Sequence, residues 1–521
     1  MVINIANFAT KVSFGAVKFL LHKLNYFPMH ESEILALRVL MPFCEKIENE
    51  RIHASLTNNI PYQDQIRFFL KEKIIKDFAL IGLNLAKKHP DLEINIFNSS
   101  SLDAGSQCFF DVIGRIETIS VSYFSKRFFE IEINDRSFLS EIEFRIDMLL
   151  WKNITPTKDE SFFLIDAACR YLCAGDGWTS ETILKYLLDH GVSDSRLYSY
   201  LGRALVMQSK CTEGEYYLNL AFENGDDLNK ILTLYSLSML YLRHHASYLQ
   251  DLIKAKRFLT IGYDIIVNSS AEKLEFKDFH EVFNRNGYAL VLFKEGKIQE
   301  AIKLLNWGIQ KLETSKRVKD NMHQSVLIYN LALCYKGLND VENCILSYKR
   351  LINIDPKDAQ YKADLAELFM NNDDFFEAKK YLLEAFAIHP ESPRINYLLE
   401  TCLSGDETAS LESRINCLKI AYQTDSNNYD IVYNCCTLLV EGGQYSEALR
   451  VLKTIDFFEL SQEQAEDFIS LKAECYLNSH MHEEAMSELR KMIFLMPENK
   501  KLNNNLNFIL NKRDCEQPAY R

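Results

Sequence analysis

The sequence contains few of the residue spacings that form catalytic or metal-binding sites in proteins. His280 has no second histidine one helical turn later, as a helical zinc site requires. The pairs Cys169/Cys173 and Cys435/Cys436 are not followed by a second pair at zinc-site spacing. The scattered cysteines therefore indicate reduced, structural thiols and no metal cofactor.

Other catalytic patterns are also absent from the sequence. The 18 glycines form no phosphate-binding loop with its lysine, and no Gly-x-Ser-x-Gly segment occurs. The segments His244-His245 and His480-Met481-His482 lie in or beside expected turns, where imidazoles are usually solvated. The sequence predicts a protein that is not an enzyme and that holds no cofactor.

Composition and charge describe an ordinary soluble protein. Of the 521 residues, 47% are hydrophobic and 25% are charged, and the formal net charge is -13. This negative charge disfavours direct binding to nucleic acid, which needs clustered lysine and arginine. No apolar run reaches the length of a membrane span. We therefore expect a cytoplasmic protein.

A 34-residue spacing organises the sequence between residues 325 and 390. Each unit has an apolar residue followed by a small one, then an aromatic, a second small residue and a bulky one, and it ends with a proline. The first unit has Leu331, Ala332, Tyr335, Cys344, Tyr348, Leu351 and Pro356, and the second has Leu365, Ala366, Phe369, Ala378, Leu382, Ala385 and Pro390. Small residues at this spacing let two antiparallel helices approach closely, and the prolines follow a helix end.

This order and spacing resemble the tetratricopeptide repeat (TPR). A single helix pair cannot bury its apolar side alone, so neighbouring pairs must stack. The resemblance predicts a mainly α fold, a right-handed TPR α-solenoid of about eight helix pairs over residues 155–498, preceded by a small α/β domain. Residues 499–521 are predicted to form a capping helix and a frayed tail.

In the TPR family, two exposed positions of each first helix face a concave groove. The resemblance therefore implies a peptide-binding groove lined by Asn286, Leu290, Tyr329, Leu333, Glu367, Tyr397, Thr401, Tyr433, Thr437 and Glu474. Three tyrosines and few charges suit an apolar or helical peptide, since tyrosine offers a large contact area and one hydrogen bond. The alternative is that these tyrosines only pack against neighbouring helices.

Residues 1–30 carry lysines and no acidic side chain. Phe14, Val17, Leu20, Leu21 and Leu24 recur at helical spacing. They predict an amphipathic helix that contacts a membrane surface or a partner, or alternatively packs on its own domain.

Residues 31–154 combine strand-like and helix-like patterns. The strand-like segments are 34–43, 92–97, 109–116, 118–124 and 128–133, and the helix-like segments are 62–88 and 138–151. Helices packed on one twisted sheet would bury the apolar sides of both, so we predict a small α/β domain.

The segment 39–43, with the sequence Val-Leu-Met-Pro-Phe, resembles the first strand of TolB-like N-terminal domains. The segment 111–116 resembles a later strand of that family, with its glycine one residue early. Such domains precede TPR arrays in bacterial regulators, including winged-helix activators of the invasion-gene type. The segment before the first predicted strand is too short for a winged helix, which argues against direct DNA binding.

The sequence as a whole favours a bacterial adaptor or regulatory scaffold that binds a protein or peptide in the TPR groove. Two alternatives remain open at this point. One is a transcription regulator, related to winged-helix/TPR activators, that acts through a partner. The other is a membrane-associated assembly factor that uses residues 1–30.

Overall fold

A computed structural model describes most of the chain. It covers residues 1–6, 10–26, 28, 31–44, 47, 55, 71–116, 118–125, 137–270, 273–315, 317–406, 408–426, 428–453, 455, 460–495, 497–500, 502–507 and 510. The fold is mainly helical, with a small parallel sheet near the N-terminus, as the sequence predicted. The chain divides into two compact units, Met1–Leu368 and Phe369–Arg521.

Three parallel strands form the sheet in the order β1 (Val2–Ala6), β2 (Leu92–Phe97) and β3 (Ile119–Phe124). Parallel neighbours cannot be joined by a tight turn, so helices occupy the connections. Between β1 and β2 lie α1 (Gly15–Lys23), α2 (Glu31–Leu40) and α3 (Lys71–Lys88), and between β2 and β3 lies α4 (Ala104–Ile113).

Helix α1 lies in the interior of the N-terminal domain. Phe14, Val17, Leu20 and Leu21 are buried in one apolar core together with the strand residue Ile94. Phe14 packs edge to face against Phe78 of α3, with 5.6 Å between the ring centroids. The apolar side predicted for residues 1–30 therefore packs on its own domain, as the second of the two sequence interpretations expected.

Two segments predicted as strands are helices. The predicted strand 34–43 lies mostly in α2, where Ile34, Leu37 and Leu40 are buried at intervals of three residues. The predicted strand 109–116 lies mostly in α4, whose first turn is capped by the Asp103 carboxylate accepting from the Ser106 N–H at 2.8 Å. Both apolar runs are short, and in a short run the periodicity alone does not separate a strand from a helix.

The remaining predictions for the N-terminal domain had mixed outcomes. The strands predicted at 92–97 and 118–124 are confirmed as β2 and β3, and the helix predicted at 138–151 corresponds to α5 (Glu141–Lys152). The helix predicted at 62–88 is confirmed over residues 71–88 as α3, and residues 62–70 lie outside the described residues. The predicted strand 128–133 lies outside the described residues. The strand β1 was missed.

Helices follow one another through the rest of the chain. The first unit continues with α6 (Lys158–Ala174), α7 (Gly177–Asp189), α8 (Ser195–Met207), α9 (Cys211–Asn224), α10 (Asp227–Met239), α11 (Leu252–Asn268), α12 (Lys277–Lys294), α13 (Ile298–Leu312), α14 (Val318–Gly337) and α15 (Val341–Ile354). Helix α16 (Ala359–Met370) contains the boundary between the units. The second unit contains α17 (Phe375–Ile388), α18 (Pro393–Ser404), α19 (Leu411–Thr424), α20 (Tyr429–Glu441), α21 (Tyr445–Lys453), α22 (Gln462–Asn478) and α23 (His482–Leu495).

Within each unit, consecutive helices pack as pairs, from α6 with α7 to α14 with α15 in the first unit and from α18 with α19 to α22 with α23 in the second. We call the even-numbered helix of each pair the first helix and the odd-numbered one the second helix, and α16 and α17 are named in the same way from their place in the sequence. Residues at the small positions of the 34-residue pattern are fully buried, as in Ala332 of α14 and Cys344 of α15. The Cys344 thiol donates to the Ala332 carbonyl oxygen at 3.4 Å. A Cβ atom at Gly202 of α8 would come within 2.9 Å of the Gly214 carbonyl oxygen of α9. Small side chains therefore set the close approach of paired helices.

The turn inside a pair also repeats. Asn339 and Asp373, which are 34 residues apart, both adopt left-handed backbone with φ of 56° and 60°. The next residue caps the second helix in each case, because the Asp340 and Asp374 carboxylates accept from backbone N–H groups three residues later. The residues that form the turns thus repeat every 34 positions, as do the small residues at the helix contacts.

Candidate functional site

The predicted groove residues all lie on first helices. Those of the first unit are Asn286 and Leu290 on α12, Tyr329 and Leu333 on α14, and Glu367 on α16. Those of the second unit are Tyr397 and Thr401 on α18, Tyr433 and Thr437 on α20, and Glu474 on α22. Where two of these residues lie on the same helix, they are four positions apart and therefore share one face of that helix.

In the first unit, Asn286 links two first helices. Its side chain is buried, and its Oδ1 atom accepts a hydrogen bond from Asn330 Nδ2 of α14 at 2.8 Å. Leu290 is half-buried and packs against the apolar cluster that includes Val291. Asn286 therefore holds α12 against α14, and Leu290 is the more exposed residue of this pair.

Tyr329 contacts the next first helix along the chain. Its hydroxyl accepts from Gln360 Nε2 of α16 at 3.4 Å, and its ring centroid lies 6.0 Å from that of Tyr361. On the same pair of helices, Lys336 Nζ of α14 lies 3.5 Å from Glu367 Oε1 of α16. The structure therefore brings Tyr329 and Glu367 into one surface that joins α14 and α16.

In the second unit, Tyr397 makes the equivalent contact. Its hydroxyl accepts from Asn434 Nδ2 of α20 at 3.4 Å. Burial and then the nearby Asp430 raise the pKa of Tyr397, so this hydroxyl stays protonated. Thr401 and Thr437 donate their hydroxyls to carbonyl oxygens four residues earlier in their own helices, at 3.0 and 2.9 Å. The threonines therefore present mainly their methyl groups.

Tyr433 belongs to an aromatic cluster between α20 and α22. Its ring stacks on Tyr429 with 5.8 Å between centroids and meets Phe468 edge to face at 5.9 Å. The Tyr429 hydroxyl donates to Asp467 Oδ2 at 3.0 Å. Glu474, two turns further along α22, is exposed.

The tyrosines of the site thus have two roles that the sequence interpretations treated as alternatives. Tyr329, Tyr397 and Tyr433 pack against the following first helix, yet each is only partly buried. The sequence analysis missed Tyr429, although its spacing of four residues from Tyr433 places both rings on one helical face. The groove assignment itself stays a prediction.

Large exposed apolar side chains occur on second helices, where the sequence analysis named no site. Phe376 is 82% exposed on α17 and Leu383 lies two turns later on the same helix. Leu346 is also exposed, on α15. Phe376 and Leu383 are seven residues apart and therefore share one face of α17. This face is a second exposed apolar surface, on a second helix.

The described residues contain no group of three or more His, Cys, Asp or Glu side chains arranged to hold a metal ion. Within those same residues, no helix is both long and apolar enough to cross a bilayer.

Comparison with known families identifies one segment of the array. Residues 326–358, which span most of α14 and all of α15, match the model of the tetratricopeptide repeat. This segment is similar to a single tetratricopeptide repeat. Its boundaries agree with the first unit of the 34-residue pattern. The comparison with curated proteins gives no match.

Several solved structures are similar at low identity. A tetratricopeptide repeat protein from Parabacteroides merdae is 14% identical, covers 53% of this chain and 99% of its own, and has a TM-score of 0.30. YrrB, a TPR protein with an unusual peptide-binding site, is 19% identical over 38% of this chain and 95% of its own, with a TM-score of 0.30. Pseudomonas aeruginosa PilF is 13% identical over 45% of this chain and 99% of its own, with a TM-score of 0.34.

Proposed function

We propose that this protein is a cytoplasmic adaptor or regulatory scaffold that binds a protein or peptide on the faces of the first helices within its compact units. The observation that carries the proposal is the set of half-buried tyrosines, Tyr329, Tyr397 and Tyr433, each on the first helix of a pair. TPR-type proteins in general mediate protein–protein interaction, and residues 326–358 match the model of one such repeat. We propose a non-catalytic mechanism of recognition.

The chemistry of this surface suits an apolar or helical peptide. The half-buried rings offer contact area that costs little conformational entropy, because the packing already restricts them. Tyr397 accepts a hydrogen bond from Asn434, which leaves its hydroxyl proton to be donated to a partner's carbonyl oxygen. The threonine hydroxyls are bonded to their own helices, so specificity would come from ring shape and a few tyrosine hydrogen bonds.

The two other functions considered from the sequence have no structural observation in their favour. A transcription regulator that acts through a partner and a membrane-associated assembly factor both stay predictions. The resemblance to TolB-like domains also stays a prediction, and the segment that carries it, residues 39–43, includes the end of α2 rather than a strand.

Affinity capture with the full chain tests the proposal. The bait carries Tyr329→Ala, Tyr397→Ala and Tyr433→Ala together, and proteins recovered from the source cells are quantified against wild type. We expect loss of most specific partners, at least about tenfold, because aromatic anchors dominate interface energies. The control bait carries Phe376→Ser and Leu383→Ser, which alter a second helix only.

Two results would contradict the first-helix site. One is equal recovery with the triple variant, and the other is loss of partners with the α17 control alone, which would move binding to the second-helix surface. Because the tyrosines also pack, a parallel bait carries Tyr→Phe at the three positions, which keeps the rings. Thermal unfolding of each bait separates loss of binding from loss of folding.

A further inference from the structure

Helix α5 presents a line of large apolar side chains to solvent. Phe144, Met148 and Trp151 are 44%, 40% and 43% exposed. They are spaced by four and then three residues, so they lie on one face and form a stripe along two turns of the helix. With Ile142, which is also exposed, α5 carries more large exposed apolar side chains than any other helix in the described part of the chain. We call Phe144, Met148 and Trp151 the α5 stripe.

The opposite side of α5 is fixed by the domain core. Ile146, Leu149 and Leu150 are buried in an apolar cluster with residues of α6. Just after the end of α5, the Ile154 carbonyl oxygen accepts a hydrogen bond from the Tyr186 hydroxyl at 2.6 Å. The stripe therefore cannot turn inward, and a partner would bind it with little loss of backbone entropy.

Charged side chains lie at both ends of the stripe. Glu141 is in the first turn of α5 and Lys152 is its last residue, and both are exposed. They are eleven residues apart, which is about three turns of an α-helix, so they project from the same side. Lys11 adds positive charge at the Lys152 end, since its Nζ atom lies 4.9 Å from the centre of the Trp151 ring. The exposed face of α5 is thus negative at its start and positive at its end, with the stripe between.

We propose that two copies of this chain form a dimer in which their α5 helices pack antiparallel. A face that is negative at one end and positive at the other is complementary to itself in this arrangement. When Glu141 of one copy lies opposite Lys152 of the other, Phe144 comes within about 3 Å, along the helix axis, of the level of Trp151 of the other copy, because the two pairings differ by two residues. The two-fold axis then passes close to Met148, so the two stripes bury each other in a closed symmetric interface.

A second copy fits this face better than other partners do. An anionic membrane would attract Lys11 and Lys152 but repel Glu141. A peptide of one sign would likewise meet a like charge at one end of the stripe. Arg145 does not oppose the pairing of two copies, because its guanidinium packs against α6, 4.3 Å from the centre of the Phe163 ring. A partner with the reverse order of charges is complementary throughout, and an antiparallel second copy supplies that order.

Sedimentation equilibrium of the full chain tests the dimer. We expect wild type to dimerise with a dissociation constant of about 1–100 μM, since a contact centred on one helix is at the small end of stable interfaces. Met148→Ser/Trp151→Ser should weaken the dimer at least about tenfold, because a few large central side chains carry most of the interface energy. The matched control Phe376→Ser/Leu383→Ser changes an exposed apolar pair of α17 and should leave the dimer unchanged. Monomeric wild type at about 0.2 mM, or equal association of the stripe variant, would overturn the proposal.

Charge reversal tests the antiparallel register. Glu141→Lys and Lys152→Glu should each weaken the dimer at least about threefold, because each places like charges opposite each other twice in the symmetric interface. The double variant Glu141→Lys/Lys152→Glu restores opposite charges, and we expect a dissociation constant within about twofold of wild type. A double variant as weak as the product of the two single effects would refute the register. Thermal unfolding of each variant separates loss of the dimer from loss of folding.

Vesicles that contain anionic phospholipid distinguish a dimer surface from a membrane surface. We expect wild type and Met148→Ser/Trp151→Ser to float equally little, because Glu141 opposes binding. Flotation of wild type that the stripe variant loses would assign the stripe to a membrane and would overturn the dimer. The stripe contains no residue of the proposed peptide-binding site, so affinity capture and sedimentation can give opposite outcomes.

Discussion

At the scale of single residues, the N-terminal domain contains a buried ion pair. Lys18 Nζ of α1 lies 2.6 Å from Glu143 Oε1 of α5, and both side chains are almost fully buried. Glu143 also accepts from the backbone N–H and the hydroxyl of Ser140, the N-cap residue of α5. An ion pair in such a position costs desolvation, but removal of one partner costs more.

We expect Lys18→Met to lower the free energy of unfolding by about 3–5 kcal/mol, because Glu143 is left charged and unpaired in the core. The double variant Lys18→Met/Glu143→Gln should recover much of this loss, since glutamine keeps an acceptor for Ser140 without the charge. Urea unfolding of the four proteins in the cycle measures both values. Additive effects of the two substitutions would contradict the buried pair.

Two buried histidines give the first unit a pH dependence. Desolvation lowers the pKa of His280 on α12 and of His323 on α14 to about 4. The unfolded chain therefore binds protons at these sites below about pH 6.5, while the folded chain does not until about pH 4. Stability contributed by the neutral histidines is present above about pH 6.5 and is lost as the pH falls toward 4.

As the pH falls from about 7 to about 5, each histidine should lower the free energy of unfolding by about 2 kcal/mol. We expect His280→Asn and His323→Asn each to flatten the pH dependence of the urea midpoint over this interval. Burial raises the pKa of Asp176 to about 7, so protonation of Asp176 stabilises the fold as the pH falls and opposes the effect of the histidines. Each variant is therefore compared with wild type at every pH. His480→Asn, at an exposed turn, is the control and should leave the slope unchanged.

At the scale of elements, the helix pairs depend on turns that need left-handed backbone. Asp373 adopts φ of 60° and is exposed, and Asp374 caps α17 directly after it. Aspartate tolerates this conformation better than alanine does, and glycine adopts it without steric cost. The strain of each turn therefore depends on one residue.

We expect Asp373→Gly to be more stable than Asp373→Ala by about 1 kcal/mol, because alanine keeps a Cβ atom in the left-handed region. Thermal unfolding of both variants beside wild type measures the difference. The same exchange at Lys349, an exposed residue inside α15, serves as the control and should favour alanine, because glycine is the poorer helix former. The opposite order at Asp373 would show that the turn is not strained.

At the scale of the whole molecule, the chain has a large net charge, whereas the proposed recognition surface is mostly uncharged. The chain carries a net charge of -13, but the tyrosines and threonines of the proposed site are uncharged. Salt screens interactions between exposed charges and has little effect on apolar contact area. The proposed mode of recognition therefore predicts binding that depends weakly on salt.

We expect the affinity for a captured partner to fall by less than about threefold between about 0.1 M and 0.5 M salt. Fluorescence anisotropy with the labelled partner measures the change. Glu474→Gln, which removes an exposed charge of the site, should have little effect on the affinity. A loss of tenfold or more with salt would show that charges carry the recognition and that the tyrosines do not.

Much of the helical array could be predicted from the sequence. Helical period, small residues at close contacts and turn residues are local features, and they recur every 34 residues. They predict a buried interior that contains Ala332, Cys344 and Leu365, and all three side chains are buried in the fold. The assignment of the groove residues to first helices followed from the same period.

The sequence by itself thus determined the helix pairs, because their signals lie within a few turns of each residue. Only the tertiary structure decided features that depend on residues far apart in the chain. Strand β1 pairs with residues about 90 positions later, and the short apolar run of α2 does not by itself separate a helix from a strand. Tyr397 is half-buried, and its hydroxyl is hydrogen-bonded, because the next first helix supplies Asn434. Such contacts arise from packing, which no local pattern records.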